Sequence, residues 1–152
     1  MKTFMIATLA AFFACAAAGT CVAADVTAPG EPAGRLEGNL EYAQVVFVKA
    51  VEGGDGRWCI STTLRHNDEG WEHYAVMWEV LDAEGNEIAW RGLAHPHVHE
   101  QPFERDQCDV VVPAGVGSLR VRAKCNVHGF GGGEVVVDLT AAEGEMFTVT
   151  RR

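Results

Sequence analysis

Histidine and cysteine are the residues in this chain whose types and spacing most clearly suggest chemistry, with six His and five Cys among 152 residues. Imidazole nitrogen and thiolate sulfur are ligands that proteins use for iron, copper and zinc. The histidines fall in three short stretches, and a cysteine lies three residues before the last of them. The candidate metal ligands are His66, His73, His95, His97, His99, His128 and Cys125.

The segments that must position these side chains have the pattern of short β-strands. Trp58, Ile60, Thr62 and Leu64 alternate with more polar neighbours, which is typical of a half-buried strand. No segment shows a long helical period. The predicted strands are 43–51, 58–65, 74–81, 87–93, 108–112, 119–125, 134–139 and 146–150. The sequence therefore predicts an all-β fold, an immunoglobulin-like antiparallel β-sandwich of 7–8 strands, with a small barrel as the alternative.

Strand order predicts where the histidines meet. If each connection reverses the chain direction, the loops 66–73, 94–107 and 126–133 lie at one end of the sandwich. These three loops contain all six histidines. Because histidine has no turn preference comparable with that of Gly, Asn or Asp, the grouping favours a mononuclear metal site. Alternate residues of an extended segment point the same way, so His95, His97 and His99 are expected to share a face. The alternative is that these are exposed polar residues bonded to their neighbours.

The first 24 residues have the pattern of a secretory signal peptide. Lys2 precedes an apolar run over 4–18, and small residues lead to a cleavage site after Ala24. The run is shorter than the roughly 20 residues of a membrane-spanning helix, so no transmembrane segment is expected after cleavage. Residues 25–40 are predicted to be a flexible lead-in and residues 41–152 the β-sandwich domain. We expect a periplasmic or secreted protein, with lipidation at a cysteine of the first 24 residues as a minor alternative.

Cleavage would leave three cysteines in an oxidising compartment, where one disulfide and one unpaired thiol are expected. Cys108 and Cys125 have the inward phase of their predicted strands, so a disulfide between them is feasible. That bond would remove Cys125 as a metal ligand. The formal net charge of −9 argues against nucleic acid as a partner, because a polyanion needs a basic face.

The segment Cys125-Asn126-Val127-His128-Gly129 resembles the iron-binding domain of superoxide reductases and desulfoferrodoxins. The stretch 66–74, with a histidine near each end, resembles the histidine pair of that family. The resemblance implies that His66, His73 and His128 are equatorial ligands of iron and that Cys125 is the axial thiolate, with the opposite position open for superoxide. The glycine-rich continuation 130–133 differs from the family's usual ending.

Segments 70–75, 95–103 and 127–132 also resemble a group of small uncharacterised exported bacterial proteins. The expected cofactor is a metal ion, with iron favoured and copper or zinc left open. Superoxide-reductase-like redox chemistry is the enzymatic hypothesis. The alternative is a non-catalytic exported module that binds a protein or small molecule through the same loops, with these side chains as contacts: Trp71, Tyr74, Pro96, Pro102 and Phe103.

Overall fold

The computed structural model describes residues 38–152, which form ten strands and no helix. The predicted signal peptide and most of the predicted lead-in lie outside this range. Within the described residues, no helix is long and apolar enough to cross a membrane. The strands are β1 (Gln44–Glu52), β2 (Trp58–Arg65), β3 (Ala75–Leu81), β4 (Glu87–Gly92), β5 (Phe103–Val110), β6 (Ser118–Cys125), β7 (Gly129–Phe130), β8 (Val135–Asp138), β9 (Glu143–Gly144) and β10 (Phe147–Arg151).

The ten strands make two sheets of five, which confirms the predicted all-β sandwich. The first sheet has the order β5-β2-β1-β10-β9, and the second has the order β4-β3-β6-β7 with β8 also paired to β6. All eight predicted strands are present, and the two-residue strands β7 and β9 add to them. The immunoglobulin-like character of the sandwich stays a prediction.

The core lies between the apolar faces of the two sheets. In β2, Trp58, Ile60, Thr62 and Leu64 are buried and their neighbours are half-buried, as the period-2 pattern predicts. Strand β6 has the same alternation and ends on Cys125, which is fully buried. Because Cys125 falls on the buried side of this alternation, its thiol lies in the interior at the end of β6.

Strand β5 begins five residues earlier than the sequence predicts and is mostly polar. Its pairing runs from Phe103 opposite Leu64 to Val110 opposite Trp58, and only these two β5 residues are buried. Because β5 lies at the edge of its sheet, the charged side chains between them meet solvent rather than the core. An apolar alternation could not reveal this strand.

One strand pair departs from the predicted antiparallel arrangement. Strands β1 and β10 are parallel, with Val48 opposite Phe147 and Glu52 opposite Arg151. Side-chain periodicity gives the buried face of a strand but not the direction of its neighbour. The rest of the named pairs are antiparallel.

The strand register brings the histidine-bearing loops to one end of the sandwich. Leu64 lies opposite Phe103, and Ala75 lies opposite Cys125, so β2, β3, β5 and β6 begin or end there. Gln44, the first residue of β1, pairs with Arg65 at the same end. The segment before β1 therefore enters the sandwich beside the histidines.

Candidate metal centre

Two overlapping groups of side chains at this end have the composition of a metal site. His66, His73 and Cys125 form one group and are all buried, and Glu41, His73 and His128 form the other. Within each group the potential ligand atoms lie within 4.8 Å of one another. His73 belongs to both groups, so the two describe one centre with up to five side chains around it.

His66 is held by a buried carboxylate. It follows the last residue of β2, and its Nδ1 lies 2.7 Å from Oδ1 of Asp68. Because an ionised carboxylate only accepts hydrogen bonds, Nδ1 carries a proton, and in the neutral ring Nε2 has a lone pair available for a metal. A carboxylate bonded to the outer nitrogen of a histidine is the usual support of a metal-ligating imidazole.

Asp68 is ionised by the contacts around it. Burial raises the pKa of this carboxyl, but hydrogen bonds from the His66 ring and from the amides of His97 and Ala75 bring the pKa below its ordinary value of 3.8. The two amide bonds are 2.6 Å and 3.1 Å long. Asp68 therefore fixes His66 and ties the β2–β3 loop to the β4–β5 loop and to β3.

His73 supplies a buried nitrogen without a partner. The β2–β3 loop folds back on itself, with the amide of Glu69 donating to the carbonyl of His73. Gly70 has φ +114, a conformation that favours glycine in this turn. Nδ1 of His73 lies 3.6 Å from the Glu69 carboxylate, while its buried Nε2 has no hydrogen-bond partner among the described residues. An orphaned imidazole nitrogen beside a cysteine and two other histidines fits a metal ligand.

A tight turn after β6 brings Cys125 and His128 together. The amide of His128 donates to Sγ of Cys125 over 3.1 Å, and Gly129 closes the turn with φ +73. Nδ1 of His128 lies 3.8 Å from the same sulfur. The ring of His73 lies between those of His66 and His128, with centroid distances of 4.6 Å and 5.0 Å.

Asn126 locks this turn to the β2–β3 loop. Its Nδ2 donates to the carbonyls of Trp71 and Glu72, and its Oδ1 accepts from the amide of Tyr74 over 2.9 Å. The residues that make these three bonds lie before and after His73 in the sequence. Asn126 therefore sets the position of His73 relative to Cys125 and His128.

The remaining three histidines lie on the β4–β5 loop, outside both ligand groups. The rings of His95 and His97 are adjacent, with centroids 4.6 Å apart, as alternate residues of an extended segment should be. The amide of Glu100 bonds to the carbonyl of His97, and this turn ends the extended run before His99, which is exposed. The expected shared face of three imidazoles therefore does not form.

His97 is buried behind His66 rather than beside it. Its ring stacks on Phe103 at 3.8 Å, and its Nδ1 lies 3.9 Å from the far oxygen of Asp68. Neither ring nitrogen has a hydrogen-bond partner among the described residues. Desolvation lowers the pKa of His97, with the charges of Arg105 and His95 acting in the same direction.

A disulfide joins Cys59 to Cys108. The Cys108–Cys125 disulfide that the sequence made feasible is therefore a wrong prediction. Cys125 is free and buried. The predicted inward phase of Cys108 fails because β5 shifts register between the partners of Trp58 and Ile60, next to Asp109 with φ 59. The shift leaves Cys108 on the outer face beside Cys59 and leaves the Cys125 sulfur available to a metal.

Three residues of the centre are missing from the sequence prediction: the potential ligand Glu41 and the positioning residues Asp68 and Asn126. Asp68 and Asn126 are each within three residues of a predicted ligand, and a carboxylate or amide there is a detectable sign of support for an imidazole. Glu41 gives no such sign, because its place depends on how the chain enters β1. Phe103, a predicted contact residue, is 2% exposed and belongs to the core.

The donor set restricts the metal. Imidazole and thiolate suit iron, copper and zinc, whereas magnesium and calcium prefer oxygen ligands. One thiol, three histidines and one carboxylate therefore fit a single transition-metal ion.

No protein-family model matches the chain, and no solved structure matches it significantly. A protein of Halomicrobium mukohataei named "Putative lipoprotein" is 36% identical over 100 residues, which cover 66% of this chain. The match spans 49% of that relative, so the chain corresponds to about half of its length.

Proposed function

We propose that this chain is an exported metalloprotein that holds one transition-metal ion between His66, His73, His128 and Cys125. The observation that carries the proposal is the buried group of His66, His73 and Cys125, whose potential ligand atoms lie within 4.8 Å of one another. The support of His66 by Asp68 and the unpartnered nitrogen of His73 agree with it. Export follows from the predicted signal peptide and agrees with the lipoprotein name of the relative.

Metal analysis of protein purified without a histidine tag tests the proposal. We expect about one iron, copper or zinc ion per chain after dialysis. A His73→Ala/His128→Ala variant should lose most of it, because these substitutions remove ligands from both groups. A His99→Ala variant is the matched control, since His99 is an exposed histidine at the same end. Equal metal content in all three proteins would contradict the proposal.

Iron would give the centre a specific activity, as the resemblance to superoxide reductases suggests. Ferrous iron held there would supply one electron to superoxide, which would take up two protons and become hydrogen peroxide, and an external electron donor would return the resulting ferric iron to the ferrous state. Cys125 is the thiolate of that proposal and Asp68 keeps His66 oriented. The test is superoxide consumption by the iron-loaded protein with one peroxide formed per superoxide and no oxygen released. Release of oxygen, or activity equal to that of Cys125→Ser, would contradict it.

A binding role for the same loops is a second candidate, favoured by one exposed aromatic side chain. Trp71 is 65% exposed beside the candidate centre and packs edge-on against Tyr74. An exposed tryptophan of this kind is a common anchor for a partner. Trp71→Ala should then abolish binding of a peptide or glycan ligand by metal-free protein while leaving metal content unchanged.

A further inference from the structure

We propose that the main-chain carbonyl oxygen of Glu41 is an additional ligand of the metal, held in place by a backbone strap formed by residues 39–43. This inference rests on the proposed function, because it concerns the same centre. It adds an oxygen donor that comes from the backbone and that no motif in the sequence reveals.

Three of the proposed ligands converge on this one oxygen. The Glu41 carbonyl oxygen lies 3.3 Å from Nε2 of His66, 3.4 Å from Sγ of Cys125 and 2.9 Å from Nδ1 of His128. These atoms come from the end of β2, the end of β6 and the following turn. A point that is close to all four atoms lies inside the candidate centre.

When the His66 ring is neutral, hydrogen bonding alone does not account for this arrangement. A carbonyl oxygen has two lone pairs, and three groups approach it here. In a neutral His66 ring whose Nδ1 donates to Asp68, Nε2 turns a lone pair toward the lone pairs of the carbonyl. Two acceptors facing each other repel, and a cation between them makes both of them ligands.

The strap has its own hydrogen bonds that fix the carbonyl. The buried side chain of Gln44 donates from Nε2 to the carbonyls of Asn39 and Tyr42, both over 2.9 Å. Its Oε1 accepts from the amide of Gly133 over 2.6 Å. Oδ1 of Asn39 accepts from the amide of Glu41 over 3.1 Å, so both ends of the strap are tied.

The glycine-rich run after the Cys125–His128 turn makes room for the strap. A Cβ atom on Gly132 would lie 1.9 Å from the carbonyl oxygen of Ala43. A Cβ atom on Gly131 would lie 2.6 Å from the ring of Tyr42. The backbone of the run therefore touches the backbone of the strap, which only glycine permits.

The chemical consequence is a centre with nitrogen, sulfur and one weak oxygen donor. Copper redox sites likewise combine imidazoles and a thiolate with one weak ligand that tunes the potential, and the centre proposed here has three imidazoles, a thiolate and the main-chain oxygen. The strap would then help to set both the metal affinity and the reduction potential of the centre. Both properties should change when the strap moves, even though every ligating side chain is retained.

The test compares Co(II) and Cu(II) affinities of the full-length secreted protein and three variants. Gly132→Ala should push the strap away and raise the dissociation constant at least tenfold, and Gly54→Ala, where a Cβ meets nothing within 4 Å, should leave it unchanged. Glu41→Ala keeps the carbonyl and removes the carboxylate that belongs to the second ligand group, so its dissociation constant should rise less than that of Gly132→Ala. Wild-type affinity in folded Gly132→Ala, or a loss of affinity in Glu41→Ala as large as that in Gly132→Ala, would overturn the inference.

Two further outcomes complete the test. If Gly132→Ala does not fold, Asn39→Ala decides, because Asn39 is exposed and holds the Glu41 amide. About a threefold weaker affinity is expected there, and unchanged affinity would overturn the inference. If the wild-type protein binds neither of these metals and holds no iron or zinc after dialysis, the proposed function itself fails. Metal binding by the wild type without sensitivity to the strap removes only the inference.

Discussion

Nδ1 of His66 and Oδ1 of Asp68 lie 2.7 Å apart, and both side chains are fully buried. This pair leaves only Nε2 of His66 facing the candidate centre. The second oxygen of Asp68 accepts a hydrogen bond from the amide of His97, so the carboxylate also holds the β4–β5 loop. One buried carboxylate thus sets both the tautomer and the surroundings of a proposed ligand.

Asp68→Asn should weaken metal binding without removing it. The variant keeps the shape of the side chain and loses the charge that holds the proton on Nδ1, and loss of such a partner weakens metal affinity about 10- to 100-fold. Competition titration with a chelator measures the change. Asp82→Asn, in the hairpin at the opposite end, is the control and should leave the affinity unchanged. Equal affinities for the two variants would contradict a supporting role for Asp68.

Asn126→Ala should affect both the apo protein and the metal complex. Loss of three hydrogen bonds should lower the unfolding free energy of the metal-free protein by about 1–3 kcal/mol. His73 would no longer be held beside Cys125, so affinity should fall several-fold. Urea unfolding and metal titration measure the two effects, with Asn86→Ala as the hairpin control. Lower stability with unchanged affinity would show that Asn126 does not position His73.

His97 should make stability depend on pH. Burial lowers the pKa of His97 below its ordinary value of 6.5, so the unfolded chain binds a proton at a higher pH than the folded chain does. The contribution of neutral His97 is complete above about pH 6.5 and is lost as the pH falls toward the folded-state pKa. His97→Phe should therefore lose less stability than the wild type between pH 7.5 and 5.5.

Urea unfolding at the two pH values measures the effect of His97→Phe. The variant should also keep one metal per chain and should not be less stable at pH 7.5, because it removes two buried nitrogens without partners. His99→Phe is the control and should keep the wild-type pH dependence. The same dependence in all three proteins would contradict this account of His97.

The Cys59–Cys108 disulfide should contribute to stability and not to the metal centre. It joins residues 49 positions apart on neighbouring strands, and closing a loop of this length stabilises by about 4 kcal/mol in the chain-entropy model. Cys59→Ser/Cys108→Ser should lower the unfolding free energy by up to that amount and leave metal content unchanged. Loss of metal in a folded double variant would contradict the separation of the two features.

The sequence predicts the sandwich and the shared end of the histidine loops because both depend on side-chain periodicity and strand order. It does not predict that Phe103 begins a strand, since an edge strand needs no apolar alternation. The Cys59–Cys108 bond is missed because a register shift changes the face of Cys108. Glu41 is missed because it approaches the proposed ligands through its main-chain carbonyl. Every residue has this group, so the residue type gives no sign of it.

Detection of sulfur among the metal ligands tests the central claim most directly. X-ray absorption of the metal-loaded wild-type protein should show one sulfur at about 2.3 Å, as expected for a thiolate, together with imidazole nitrogens. In Cys125→Ser, the sulfur signal should disappear while Cys59 and Cys108 stay paired. A wild-type spectrum without sulfur, or an unchanged spectrum in Cys125→Ser, would contradict a metal centre built on Cys125.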